Sequence, residues 1–312
     1  VKVVVTGATG FMGPALVAAL RARSHEVTIL ARNAERAKAA LGDGVTIVVA
    51  DLEARGAWCD SLAGAGAIIH LAGEPVAGKR WTARQKQIIR DSRVEATRTL
   101  VEAIAALEPS DRPHVLLSAS GTDYYPYPED AGFDDDEVTE SAAPSESFLG
   151  RVCRDWEREA MAAGKLGVRV ACMRTGIVLG HGGPLAKMTT PFKLFVGGKL
   201  GDGKQWLSWI HLDDAIAAYV AALDDDRYAG AFNLVTDSTR NREFSKALGK
   251  ALGRASWAPV PSFVIKLALG EFAEVVLNGR RVVAKRLTEL GFRWKHPELD
   301  EALRSATASP SR

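Results

Sequence analysis

Thr6-Gly7-Ala8-Thr9-Gly10-Phe11-Met12-Gly13 follows the β-branched run Val3-Val4-Val5 and leads into a helical stretch over 14–23, with Leu16, Val17 and Leu20 near one face. Gly7 suits a tight turn out of a strand. Gly10 removes a Cβ, so a pyrophosphate can approach the main chain, and Gly13 lets the helix pack closely. The helix start offers unpaired N–H groups to phosphates, and Pro14 sits at a tolerated first-turn position. A second apolar run follows at 27–30. A Gly-x-x-Gly-x-x-Gly loop between strand and helix, with another strand beyond, reads as a dinucleotide-binding turn. Thr6, Gly7, Thr9, Gly10, Phe11, Met12 and Gly13 are its candidate cofactor contacts.

Outward from that loop, the runs at 45–49, 67–71, 115–118 and 168–173 are short and hardly alternate. Strands buried on both faces have this pattern, and they belong to parallel sheets covered by helices. Helices are predicted over 83–107 and about 148–165. Repeated βα units imply a doubly wound parallel sheet of the Rossmann type, an α/β fold. It is predicted over 1–175, with sheet contributions from about 205–236. A smaller C-terminal substrate lobe is predicted over 176–304, with short helices near 212–223, 241–252, 262–269 and 281–290. Residues 121–147 read as a long loop whose acidic run, Asp134-Asp135-Asp136-Glu137, is solvated. Residues 305–312 read as a flexible tail.

Composition narrows the function classes. Forty basic against 38 acidic side chains leave a net charge of +2. That balance predicts neither nucleic-acid nor membrane-surface binding. No apolar run reaches the ~18 residues a membrane helix needs. The three cysteines, Cys59, Cys153 and Cys172, are odd in number and widely spaced, as in reduced cytoplasmic proteins. A strand beginning at residue 2 leaves no room for a signal peptide. No metal-ligand spacing is found.

The end of the second strand selects the dinucleotide. An NAD site usually carries an acid there for the ribose hydroxyls. This chain reads Leu30-Ala31-Arg32-Asn33, and Arg32 suits a 2′-phosphate, so NADP(H) is expected over NAD. Asp51 and Leu52 after the third strand, and Leu71-Ala72-Gly73-Glu74 after the fourth, complete the predicted cofactor edge.

Further along stand Lys79-Arg80-Trp81, Ser118-Ala119-Ser120-Gly121, Phe148-Leu149 with Cys153 and Trp156-Glu157, Arg174-Thr175-Gly176, Trp209-Ile210-His211-Leu212-Asp213-Asp214 and Asn278-Gly279-Arg280-Arg281-Val282. With the glycine loop, these make the chain resemble the extended short-chain dehydrogenase/reductases. The nearest branch is the atypical one labelled NAD-dependent epimerase/dehydratase-like (nucleoside-diphosphate-sugar epimerase-like), including its C-terminal module. The resemblance implies cofactor contacts from Ser118, Cys153 and Arg174 and a substrate-orienting role for Ser120. It also implies an oxidoreductase or epimerase acting on a small molecule that is nucleotide-linked or otherwise anionic, and it allows a homodimer.

One departure stands out. Family members carry Tyr-x-x-x-Lys on the helix after the fifth strand, and here those positions are Leu149 and Cys153. Neither residue can do that proton chemistry. Tyr124 and Tyr125 are the candidate substitutes, with Ser120. The alternative function is a non-catalytic, redox-sensing NADP(H)-binding protein. His70 reads as core. His211 reads as structural, with Asp213 capping the following helix. In the second lobe, Met188, Phe192 and Phe195 suit an apolar wall, and Lys187, Lys193, Arg240 and Arg242 an anionic group. Arg280, Arg281, Lys285 and Arg286 read as a basic helix face, and Trp206 and Trp209 as packing between lobes.

Overall fold

A computed structural model describes residues 1–127 and 135–308. The chain runs β1 (Lys2–Thr6), α1 (Gly13–Ala22), β2 (Glu26–Ala31), α2 (Ala34–Leu41), β3 (Thr46–Val49), β4 (Ala67–His70), α3 (Ala83–Asp91), α4 (Val94–Ala105) and β5 (Val115–Gly121). It continues through β6 (Glu137–Val138), α5 (Phe148–Met161), β7 (Arg169–Thr175), β8 (Ile177–Leu179), α6 (Gly183–Lys193), β9 (Trp206–His211), α7 (Leu212–Asp224) and β10 (Gly230–Leu234). It closes with β11 (Asp237–Arg240), α8 (Asn241–Ala251), α9 (Ser262–Leu269), α10 (Ala273–Leu277), β12 (Arg281–Val282), α11 (Lys285–Glu289) and α12 (Leu299–Thr307).

The central sheet has seven parallel strands in the order β10-β7-β5-β4-β1-β2-β3. From β1 the chain builds outward through β2 and β3, then crosses back to place β4 on the other side of β1. That reversal opens a crevice at the carboxyl ends of β1 and β4, where open α/β sheets bind ligands. Val3, Val4, Val5, Ile68, Ile69, Leu116 and Leu117 are all fully buried. Helices cover both faces: α1 and α7 pack on one, α4 and α5 on the other. The near-absence of alternation in these strands follows from that double cover.

A second body forms around the three-stranded sheet β11-β9-β8, with Leu185, Phe192, Trp209, Phe244, Leu248 and Leu303 in its core. Of the predicted 205–236 contribution, only β10 joins the main sheet, because β9 pairs with β8 and β11. Trp209 is core there.

Three further expectations are corrected. The helix expected over 83–107 is two helices. Ser92 Oγ donates to Ile89 O and accepts from Glu74 N, and Arg93 Nη1 donates to the carbonyls of Ile89 and Glu74. These side chains tie the break to the loop after β4. The helix expected over 281–290 is the strand β12 followed by α11; Val282 is buried and pairs with β6, so Arg280 and Arg281 lie on no helix face. Arg286 is engaged with the carbonyls of Ala229 and Ala231 and stacks over Phe232. The predicted tail is helical through Thr307, with Ala306 buried against α8, and residues 309–312 lie outside the described residues. In the acidic run, Asp134 also lies outside them; Asp135, Asp136 and Glu137 are exposed as expected, with Asp135 paired to Arg240 and Glu137 to Arg281 at 3.2 Å. Among the described residues, no helix is long and apolar enough to cross a membrane.

Candidate functional site

The glycine loop leaves β1 at the crevice. Gly7 has a φ of +70°, and a Cβ there would lie 2.6 Å from Ala72 N and Leu71 C. The loop therefore passes against the main chain after β4 with no room for a side chain. A Cβ on Gly13 would run into the main chain of Ala8, so this glycine closes the loop on itself. Gly10 is different: its Cβ would meet only Gly7 O, at 3.0 Å, and it is exposed. The α1 N-terminus has no side-chain cap and no acid in its first turn. Main-chain N–H groups and the positive end of the helix dipole thus face open space beside a glycine surface, a built anion cradle. The Phe11 ring packs on Gly180, Gly182 and Gly183 at the start of α6, fastening the loop to the second lobe.

Arg32 follows β2 and is exposed, with no hydrogen-bond or ion-pair partner among the described residues. Asn33 caps α2, accepting from Arg36 N at 2.8 Å. Asp51 is exposed after β3 and accepts from Glu53 N at 3.1 Å. Leu52 packs beside the core. Glu74 accepts from Lys79 at 2.8 Å, and that bond holds its carboxyl below the usual range.

The Thr6 side chain is engaged inside the fold. Its hydroxyl meets His70 Nδ1 at 2.7 Å and accepts from Ala72 N at 3.3 Å. His70 Nε2 meets Thr97 Oγ1 at 2.9 Å, and Thr97 donates to Arg93 O at 2.6 Å. Thr97 has spent its proton, so it accepts from His70, and the ring is the neutral Nε2–H tautomer accepting from Thr6. Burial, then the field of Arg93, lowers the His70 pKa to about 4. An unfolded histidine binds its proton near 6.5. Stability is therefore full above pH 6.5 and falls as pH drops towards 4, by about 3 kcal/mol in all. Urea unfolding of His70→Gln is expected to lose this dependence relative to wild type; parallel pH profiles would contradict it.

Ser120, Tyr125 and Arg174, expected as catalytic candidates and a cofactor contact, lie together in one buried network. Ser120 Oγ donates to Glu157 Oε1 at 2.6 Å. Arg174 grips Glu157 with two bonds, Nε to Oε1 at 2.8 Å and Nη2 to Oε2 at 2.7 Å. Arg174 Nη1 also donates to Tyr125 OH at 2.9 Å, and that hydroxyl donates to Asn233 Oδ1 at 2.6 Å. All five residues are buried. Burial pushes the Tyr125 hydroxyl up to about 12, against the field of Arg174. Tyr124 lies under the Arg174 guanidinium, 3.4 Å from its ring centre. The polar groups of Ser120, Tyr125, Glu157, Arg174 and Asn233 form a bolt joining β5, α5, β7 and β10. Ser118 is fully buried and donates to Ala119 O. Cys153 is buried, and its thiol is pushed up to about 12, first by burial and then by Asp123 and Glu157.

What the chain places on the cleft instead is Asp123 with Tyr127, whose hydroxyl donates to Asp123 Oδ1 at 3.1 Å. Burial raises the Asp123 carboxyl, opposed by Tyr127 and by Arg93. Both line a cavity of about 840 Å³ that runs from the ends of β4, β5 and β7 to α6, α8 and the α9–α10 region. Sequence reasoning passed over Asp123, although it stands three residues beyond Ser120. Of the second-lobe candidates, Met188, Phe192 and Lys187 line this cavity. Phe195 is 62% exposed and turned away, Arg240 is held by Asp135 and stacked on Trp206, and Arg242 leans on Asp202 O. Lys193 is exposed at the end of α6.

His211, not Asp213, caps α7: its Nδ1 accepts from Asp213 N at 3.1 Å. Folding also brings His211, Asp213 and His296 together, with ligand-type atoms within 4.8 Å. Asp213 is already neutralised by Lys295 at 2.6 Å, and His296 is held by Glu301 at 2.8 Å. The group is a clasp on the 295–296 segment.

Comparison with known proteins bears on this geometry. The model of the NAD dependent epimerase/dehydratase family matches residues 3–234, and a domain of unknown function (DUF1731) matches 260–306. The Arabidopsis thaliana "Epimerase family protein SDR39U1 homolog, chloroplastic" is 40% identical, covering 96% of this chain and 85% of its own. The Bacillus subtilis "Epimerase family protein YfhF" is 33% identical, covering 97% and 96%. The crystal structure of human epimerase family protein SDR39U1 with NADPH superposes with a TM-score of 0.82 at 32% identity, covering 98% and 99%. A Thermotoga maritima UDP-glucose 4-epimerase shares the fold, with a TM-score of 0.79 at 18% identity. A family model spanning the whole central sheet, and relatives aligned over nearly their full length, make this chain a member of the NAD dependent epimerase/dehydratase family.

Proposed function

We propose that the chain binds NADP(H) across the carboxyl edge of β1, β2 and β4 and acts on a small molecule as an oxidoreductase or epimerase. The observation that carries this reading is Arg32, an exposed guanidinium with no hydrogen bond or ion pair among the described residues, though within the field of Glu74, where a dinucleotide's adenosine ribose is recognised. The NADPH in the human relative's crystal structure supports it. Bound there, such a cofactor supplies the hydride donor or acceptor. The glycine cradle and the α1 N-terminus hold its pyrophosphate, and Arg32 holds its ribose phosphate. Asp123, bonded by Tyr127, is the proton-holding group on the cavity wall. Calorimetric titration of Arg32→Ala is expected to weaken NADPH about 10- to 100-fold and to leave NADH within about threefold. Unchanged NADPH affinity would overturn the reading.

A second reading, binding without turnover, is favoured by Leu149 and Cys153 at the positions of the usual proton-transfer pair. Both are buried. If wild type oxidises NADPH with any of a broad carbonyl panel and Asp123→Asn does not, this second reading fails.

A further inference from the structure

We infer that the cavity takes an amphipathic organic anion, an apolar body with one acidic head group, and that the C-terminal module supplies its apolar wall. The inference deepens the reading above and rests on it, because the cavity opens at the carboxyl end of β4, next to the proposed cofactor edge. The deep walls are apolar: Phe192 from α6, Phe244 and Leu248 from α8, and Leu269, Phe272 and Val276 from the α9–α10 region. The last three belong to the segment matched by the domain of unknown function. The polar groups on the walls are largely spent. Asn241 Oδ1 accepts from Leu200 N at 2.8 Å, Ser208 is bonded to Ser238 at 2.8 Å, and the Tyr125 hydroxyl is held by Asn233 and Arg174.

A sugar desolvated against such walls would leave several hydroxyls without partners, and each unmet group costs affinity. An apolar body gains about fourfold in affinity for every methylene buried. Charge is concentrated at one rim. Lys79, Arg80, Lys187 and Arg280 line the cavity with Asp123; Lys79 is paired with Glu74 at 2.8 Å and Arg280 donates to Pro126 O, so Arg80 and Lys187 are the cations that would meet an anion. Lys187 donates to Ala77 O at 2.9 Å, so it sits on the loop that carries Lys79 and Arg80. Arg80 lies close to Gly270, beside the α9–α10 wall. An acidic head at this rim leaves the apolar body to run inward.

The test is displacement of anilinonaphthalene sulfonate, an apolar anion whose fluorescence rises on burial, from full-length protein with and without NADPH. Decanoate is expected to displace the probe at least tenfold more tightly than decanol or UDP-glucose. Leu269→Asp is expected to weaken decanoate at least tenfold, and Arg80→Glu to weaken decanoate but not decanol. Ala268→Trp, which fills the same space without a buried charge, should act like Leu269→Asp if that variant is unstable. Phe263→Asp, on the outer face of α9 at a residue 71% exposed, should change nothing. UDP-glucose displacing more tightly than decanoate, or decanoate unaffected by both wall variants, would overturn the inference. NADPH binding, read separately from its own fluorescence, should survive the wall variants. Its absence from wild type would instead count against the cofactor reading.

Discussion

Glu157→Gln is expected to lower the stability of the fold by about 3–5 kcal/mol, the range for breaking a buried ion pair from one side. For a chain of this size that is a fall in melting temperature of roughly 5–8 °C. The side chains of Glu157 and Arg174 are only 10% and 5% exposed. Burial alone would disfavour a charged Arg174, but two hydrogen bonds and the field of Glu157 more than reverse this and raise its pKa. A glutamine keeps the shape and turns one acceptor into an NH2 facing a guanidinium N–H. The cation is then buried and underpaired: with the amide oxygen at the Oε1 position Ser120 keeps its acceptor, and the NH2 faces Arg174 Nη2. A double variant, Glu157→Gln with Arg174→Met, should recover part of the loss, because no charge is left stranded. Thermal melts and urea titrations of the single and double variants measure this directly. NADPH affinity, referred to folded protein, should change less than threefold. A loss under 1 kcal/mol would mean that the pair is wet and contributes little.

The same network marks what could not be read from the chain. Ser120 and Glu157 are 37 residues apart, and Glu157 and Arg174 are 17 apart. They meet because β5 pairs with β7 and α5 packs over both. Tyr125 looked like a free phenol for the same reason: its acceptor, Asn233, arrives from β10, a strand 108 residues further on. Non-local partners of this kind leave no local signal. The doubly wound sheet was legible because its cause is local. A strand buried on both faces must be apolar at consecutive positions, as Val3–Val5 and Ile68–Ile69 are. The boundaries that failed share a physical origin. Ser92 and Arg93 end one helix and begin another by binding the loop at Glu74, and Val282 becomes a strand because β6 lies beside it. The cavity is the extreme case, since its walls come from separate stretches of chain scattered between Val76 and Val282. Of its lining, Lys187, Met188 and Phe192 from the second lobe and Tyr125 could be picked out in advance.

The glycine loop supplies the second large effect, and it is graded by position. Gly13→Ala is expected to cost about 3 kcal/mol or more, because the new Cβ overlaps main-chain atoms of Ala8 that no rotamer change can move. Gly7→Ala should be comparably damaging, since a methyl would sit 2.6 Å from the main chain after β4 at a φ of +70°. Gly10→Ala is expected to be different in kind. Its methyl meets only the Gly7 carbonyl oxygen, at 3.0 Å, and otherwise points into the open cradle. The fold should hold to within about 1 kcal/mol, while NADPH affinity falls at least tenfold, about 1.4 kcal/mol or more, because the methyl occupies space the pyrophosphate needs. Chemical denaturation separates the first two variants from the third, and NADPH titration then isolates the third from wild type. A well-folded Gly10→Ala that binds NADPH as wild type does would remove the pyrophosphate from this cradle. A Gly13→Ala of native stability would mean that the turn from β1 into α1 is looser than the contact between Gly13 and Ala8 requires.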